Sequence, residues 1–124
     1  MSNLLAISDD QIKKYHDDRE IVRKTALQLI KDFDRFGIRI QFPVDLSLAY
    51  DELYIQLLRV IQNLMNTNLS TLYSLLYTID LSENTIKKGA AKMEDFELHE
   101  VISHLLLERE LRKVLTREYF SRNK

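Results

Sequence analysis

The stretch Leu46–Ile79, LSLAYDELYIQLLRVIQNLMNTNLSTLYSLLYTI, decides the fold. Leu46, Tyr50, Leu53, Leu57, Val60 and Leu64 recur at alternating spacings of four and three, the repeat of an amphipathic helix. Tyr54, Leu58, Ile61 and Met65 widen that stripe to roughly 160°, so the helix needs neighbours on two sides. Continuing the repeat would place Thr67 and Thr71 in the core, so Asn66-Thr67-Asn68 predicts a turn. Leu69–Ile79 is then a third helix, apolar nearly all round and expected at the centre of the molecule. Between Leu53 and Ile79 the only charge is Arg59, but Gln56, Gln62, Asn63, Asn66, Thr67 and Asn68 interrupt the apolar residues. No run approaches the ~18 apolar residues of a membrane span. The stretch predicts a buried helical hairpin.

Towards the N-terminus, Ser8 and Gln11 form a capping box, with Ile7 and Ile12 at the staple positions. Ile12, Tyr15, Val22, Ala26, Leu29, Phe33 and Phe36 continue a three-four alternation that Arg19 breaches, and Gly37 supplies the stop. A first helix of about 28 residues follows, on the order of 42 Å long. Ile38–Phe42 alternates like a strand but has no partner strand. It is expected to run extended, with Ile38, Ile40 and Phe42 against the bundle. Pro43 ends it, and Asp45 or Ser47 caps the next helix.

Towards the C-terminus, Ser82–Lys92 is polar, contains Gly89 and reads as a helical turn plus loop. Asp95 is expected to cap a last long helix reaching Tyr119 or Phe120. With two glycines and one proline in the chain, long helices are favoured. The fold class is all-α: residues 1–124 as one antiparallel bundle of about four main helices.

At 124 residues, 45% hydrophobic and 30% charged, the chain has the composition of an ordinary globular domain rather than a disordered one. Its formal net charge of −1 gives no global pull towards nucleic acid or anionic lipid. The absence of cysteine excludes disulfides and thiolate chemistry and favours a reducing interior. Leu4, Leu5, Ala6 and Ile7 precede Asp9 and Asp10 without a basic flank, too short for a secretory signal. A cytoplasmic location is expected.

Catalytic and metal motifs fail on residue identity. His99 and His104 are five apart, and diverge by ~140° where zinc ligation needs a spacing of four; Glu100 and His104 read as a surface pair. The residues three before His16, His99 and His104 are Lys13, Phe96 and Val101, so no di-iron Glu-x-x-His exists. No nucleophile elbow or phosphate loop is present. No catalytic residue, metal or cofactor is assigned. Tyr50/Tyr54 and Tyr73/Tyr77 read as core packing with hydroxyls at the rim.

The last helix departs from a simple bundle. Its first half has a stripe of Leu98, Val101, Ile102 and Leu105, whereas Leu107, Leu111 and Val114 cluster near the opposite side. Leu107 lies about 180° from Leu98. The second face is either internal or meets another chain, and a partner interface at Leu107, Leu111 and Val114 is preferred. Arg109 and Arg112 fall where the first stripe should continue, and buried charges need partners. Asp80 and Glu83 are the expected partners, as a register-pinning salt bridge or as a pocket for an anionic ligand.

The leading expectation is a non-enzymatic interaction or scaffold protein, a homodimer formed through the last helix or a binder of another protein. The second is a binder of a small anionic molecule, or an enzyme acting on one, using Arg109, Arg112, Asp80 and Glu83. The weakest is a nucleic-acid accessory protein, resting on the C-terminal Lys113, Arg117, Arg122 and Lys124.

Overall fold

A computed structural model describes residues 18–122. Five α-helices pack together among them: α1 (Arg19–Asp34), α2 (Ala49–Thr67), α3 (Leu69–Ile79), α4 (Glu83–Lys92) and α5 (Leu98–Arg122), with a 3-10 turn at Leu46–Leu48. The all-helical bundle is the expected fold class. Its count rises from four to five because Glu83–Lys92, capped by Ser82, is a full helix. Ser82 Oγ accepts from Thr85 N at 3.1 Å to start α4. A Cβ on Gly89 would meet Leu105 Cδ1 at 2.7 Å, so this glycine lets α4 lie close against α5.

The helix that carries Val22, Ala26, Leu29 and Phe33 starts at Arg19. Asp18 is extended, and its side chain accepts from Ile21 N at 3.1 Å. That satisfies one of the amides left free at a helix start, so α1 begins at Arg19. The Ser8–Gln11 box lies outside the described residues, as do Ile7, Ile12 and Tyr15. Gly37 ends the helix as its position predicts: at φ 69 it lets Gly37 N reach Asp34 O and Ile38 N reach Phe33 O.

The lone extended segment is tied down by a side chain instead of a strand. Gln56 Oε1 accepts from Gln41 N at 2.8 Å while Gln56 Nε2 donates to Gln41 O at 2.9 Å. Ile40 is buried and Ile38 half-buried, but Phe42 turns outward, against expectation. Asp45 accepts from Ser47 N at 2.9 Å to start the 3-10 turn. Asn68 separates α2 from α3, its Oδ1 accepting from Thr71 N at 3.1 Å. The last helix is not capped by Asp95; Glu100 reaches back to Glu97 N at 2.8 Å.

The main core gathers Ala26, Leu29 and Phe33 of α1, Leu53, Leu57, Ile61 and Leu64 of α2, Leu72, Leu75 and Ile79 of α3, and Leu106 and Leu107 of α5. A separate small cluster joins Ile21 to Leu111, Val114 and Leu115. On α5 the described buried residues begin with Val101 and continue in adjacent pairs four apart: Ile102-Ser103, Leu106-Leu107, Glu110-Leu111 and Val114-Leu115. Four residues advance about 40° beyond one helical turn. The buried stripe therefore winds steadily round α5 as its neighbours change, and its two sequence faces are parts of one stripe.

α3 is not central. Its inner side carries Leu72, Leu75, Leu76 and Ile79, but Leu69, Tyr73 and Tyr77 are 50%, 58% and 88% exposed. No helix among the described residues is long and apolar enough to cross a membrane.

Candidate functional site

The structure brings together one of the expected ionic pairs. Arg109 Nη2 donates to Asp80 Oδ2 at 2.6 Å, and its Nε donates to Ile79 O at 3.3 Å. Asp80 holds the left-handed conformation (φ 65, ψ 47) that closes α3. The arginine thus joins the C-terminal end of α3 to α5, with its positive charge at the helix end where the dipole favours it. Asp80 is largely exposed, which makes the pair a surface tie, not a buried one. Glu83 stays exposed in the first turn of α4 and has no ion pair among the described residues, and Arg112 is half-buried one turn along α5. Of the four, Arg109 and Asp80 are in direct contact.

The expected interface is overturned. Leu107, Leu111 and Val114 are buried within the chain itself: Leu107 in the main core and the other two against Ile21. The reason is the winding stripe, which turns this face towards α1. The tyrosine reading is corrected in half. Tyr50 and Tyr54 are half-buried, with burial raising the pKa of each phenol, whereas Tyr73 and Tyr77 point outward. His104 pairs with Glu108, at 3.5 Å, and not with Glu100. No three His, Asp or Glu residues among those described are placed to hold a metal.

The most unusual chemistry lies in a seam that the sequence reading passed over. α1 and α5 run antiparallel, as Asp32–Lys113, Gln28–Arg117 and Lys24–Glu118 contacts follow one another along them. Between them Glu110 is 0% exposed and faces the buried Asp32. Lys113 Nζ lies 3.1 Å from Glu110 Oε1 and 3.6 Å from Asp32 Oδ2. Gln28 Nε2 donates to Asp32 Oδ1 at 3.0 Å. Apart from the Lys113 ammonium, no donor among the described residues reaches either Glu110 oxygen or Asp32 Oδ2.

A proton on Glu110, donated to Asp32, answers that deficit. Burial first, then the neighbouring Asp32 carboxylate, push Glu110 up to about 8, against the opposing pull of Lys113. Burial acts on Asp32 in the same upward sense, but hydrogen bonds from Glu110 and Gln28, with the Lys113 charge, bring it below the usual range. One of two adjacent carboxyls keeps its proton so that the other can hold its charge. At the solvent end the seam opens into a groove of about 370 Å³ lined by Lys24, Leu27, Gln28, Lys31, Val114, Arg117 and Glu118.

A sequence signal for this pair exists. Glu110 lies three residues after Leu107 and four before Val114, in the middle of the apolar row that was assigned to a partner. A charge at the centre of an apolar row marks a buried ionisable group. Asp32, three after Leu29 and beside Phe33, is its counterpart on α1. Comparison of the chain with protein-family models, curated proteins and solved structures gives no match. Fold and sites therefore define the class that can be stated: an all-helical bundle with one uncharged helix face outward and a buried carboxyl pair inside.

Proposed function

We propose that this chain is a non-enzymatic interaction protein that pairs with a second copy of itself through the outer face of α3. The observation carrying this reading is the row Leu69, Tyr73 and Tyr77, three large side chains one turn apart and at least half exposed. Ser70 and Ser74 flank the row, and no charged residue occurs from Val60 to Ile79. Two copies of an uncharged face meet without like-charge repulsion, which suits the self-complementary contact of a two-fold dimer. Tyrosine suits such a face because its ring is apolar and its hydroxyl remains wet.

The expected affinity is low. Each tyrosine offers roughly 200 Å², so two copies of the row cover on the order of 1,000 Å², below the range of stable dimers. Association is expected to be concentration-dependent and reversible. The cysteine-free composition fits work in a reducing cytoplasm.

Sedimentation velocity across a dilution series tests the reading. The wild type is expected to approach twice the chain mass at high concentration, and Tyr73→Glu with Tyr77→Glu to remain monomeric with unchanged helicity. A wild type that stays monomeric at the highest attainable concentration removes it.

The groove supports a second reading, a small anionic ligand held by Lys31 and Arg117. It lies at the α1/α5 seam instead of at Arg109 and Asp80. Thermal stabilisation by pyrophosphate or citrate, lost in Lys31→Ala, supports this reading; no stabilisation by either anion removes it.

A further inference from the structure

We infer that the α1/α5 seam is a proton-dependent clasp, in which protonated Glu110 holds the last turns of α5 against the start of α1. The geometry rests on where the main core stops. On α5 that core ends at Leu107; beyond Glu110 the buried apolar residues among those described are Leu111, Val114 and Leu115, packed against Ile21 in a separate cluster. Glu110 is thus the boundary between a half of α5 anchored in the main core and a half whose buried apolar contacts among the described residues form a small separate cluster. Across the seam stands Asp32, itself buried.

The charged groups acting on this boundary are few. Asp32 on α1 and Lys113 on α5 act on Glu110, while Arg35, just past the end of α1, acts on Asp32. At the far end, Lys24 of α1 pairs with Glu118 of α5, and Arg117 donates to Gln28. With the proton present, the Glu110 carboxyl is neutral and donates to Asp32. With the proton lost, two carboxylates face one another in a buried seam and share the single ammonium of Lys113. Like charges repel, and neither can be hydrated without separating the helices. The opening exposes the small cluster but leaves α2, α3 and the first half of α5 packed on the main core. The raised pKa of Glu110 places the transition near neutral to mildly alkaline pH.

Hydrogen exchange of the full chain between pH 6 and 9, corrected for the intrinsic rate at each pH, tests the clasp. In the wild type, protection of the Val114–Glu118 amides is expected to fall with rising pH by up to about tenfold per unit. The Leu57–Leu64 amides of α2, which exchange only when the whole chain opens, are expected to stay better protected than Val114–Glu118 at every pH. Glu110→Gln, which keeps a donor for Asp32 and cannot ionise, should flatten the fall at Val114–Glu118. Asp32→Asn removes the charge that Glu110 would meet but leaves its burial, and should lessen the fall, so the test stands if one variant fails to fold. Equal protection of α2 and of the end of α5 at every pH overturns the clasp, because the chain then opens only as a whole. An undiminished fall in a folded variant overturns it too.

Discussion

Asp80 combines a strained backbone with an exposed charge, and the two can be separated by substitution. An exposed ion pair contributes at most about 1 kcal/mol, and a non-glycine side chain in the left-handed region costs about 1–2 kcal/mol. Asp80→Ala loses the Arg109 contact and gives up the local tolerance of aspartate for φ 65. We expect a loss of about 1–2 kcal/mol in urea unfolding. Asp80→Gly loses the same contact but relaxes the backbone, and is expected within about 1 kcal/mol of wild type. A loss above about 3 kcal/mol in both variants would mean that the pair is effectively desolvated.

At the scale of the element, α5 is decided by what lies against it. Its buried stripe winds because α2, α3 and α4 cover its first half and α1 covers its second. Leu111 is therefore a core residue. Leu111→Ala is expected to cost about 2–5 kcal/mol, and Leu111→Glu to unfold at least the α1/α5 seam, with loss of helical signal by circular dichroism. A Leu111→Glu chain that stays fully helical while changing oligomeric state would instead return this face to a partner. The break between α2 and α3 is a local matter. Asn68 supplies the cap to Thr71 N, and Asn68→Ala should lower stability by about 1 kcal/mol in the same urea experiment.

At the scale of the whole molecule, the shifted groups set the pH at which the fold is firmest. Glu110 has a folded pKa of about 8 against an ordinary value of 4.5. Between those values the folded chain binds the extra proton, so stability falls as pH rises through that window. The Glu108 partner raises His104, whose contribution is complete below about 6.5 and fades as pH climbs through its folded value. Asp32 is shifted downward, so its contribution is present above 3.8 and is lost in stronger acid. All three place the maximum near pH 4–5. Calorimetry at constant ionic strength should show Tm dropping by on the order of 10 °C from pH 5 to 8, and Glu110→Gln should remove most of that drop. A flat wild-type profile would exclude an ionising Glu110 in the folded chain.

Local chemistry made much of this legible. The three-four spacing of Leu53, Leu57, Val60 and Leu64, the turn at Asn68, the cap at Asp45 and the stop at Gly37 are properties of a few adjacent residues. The sequence by itself therefore determined that the chain is helical, where α3 begins and ends, and that Arg109 needs an acid; α2 runs from Ala49 to Thr67, three residues later at each end than the apolar stripe from Leu46 to Leu64. Tertiary structure alone decided which side of each helix is inside. The apolar α3 turns Leu69, Tyr73 and Tyr77 outward, the Leu107–Val114 row turns inward, and Asp32 meets Glu110 from 78 positions away. Helical periodicity fixes the angle between side chains on one helix, but burial depends on the helices packed around it.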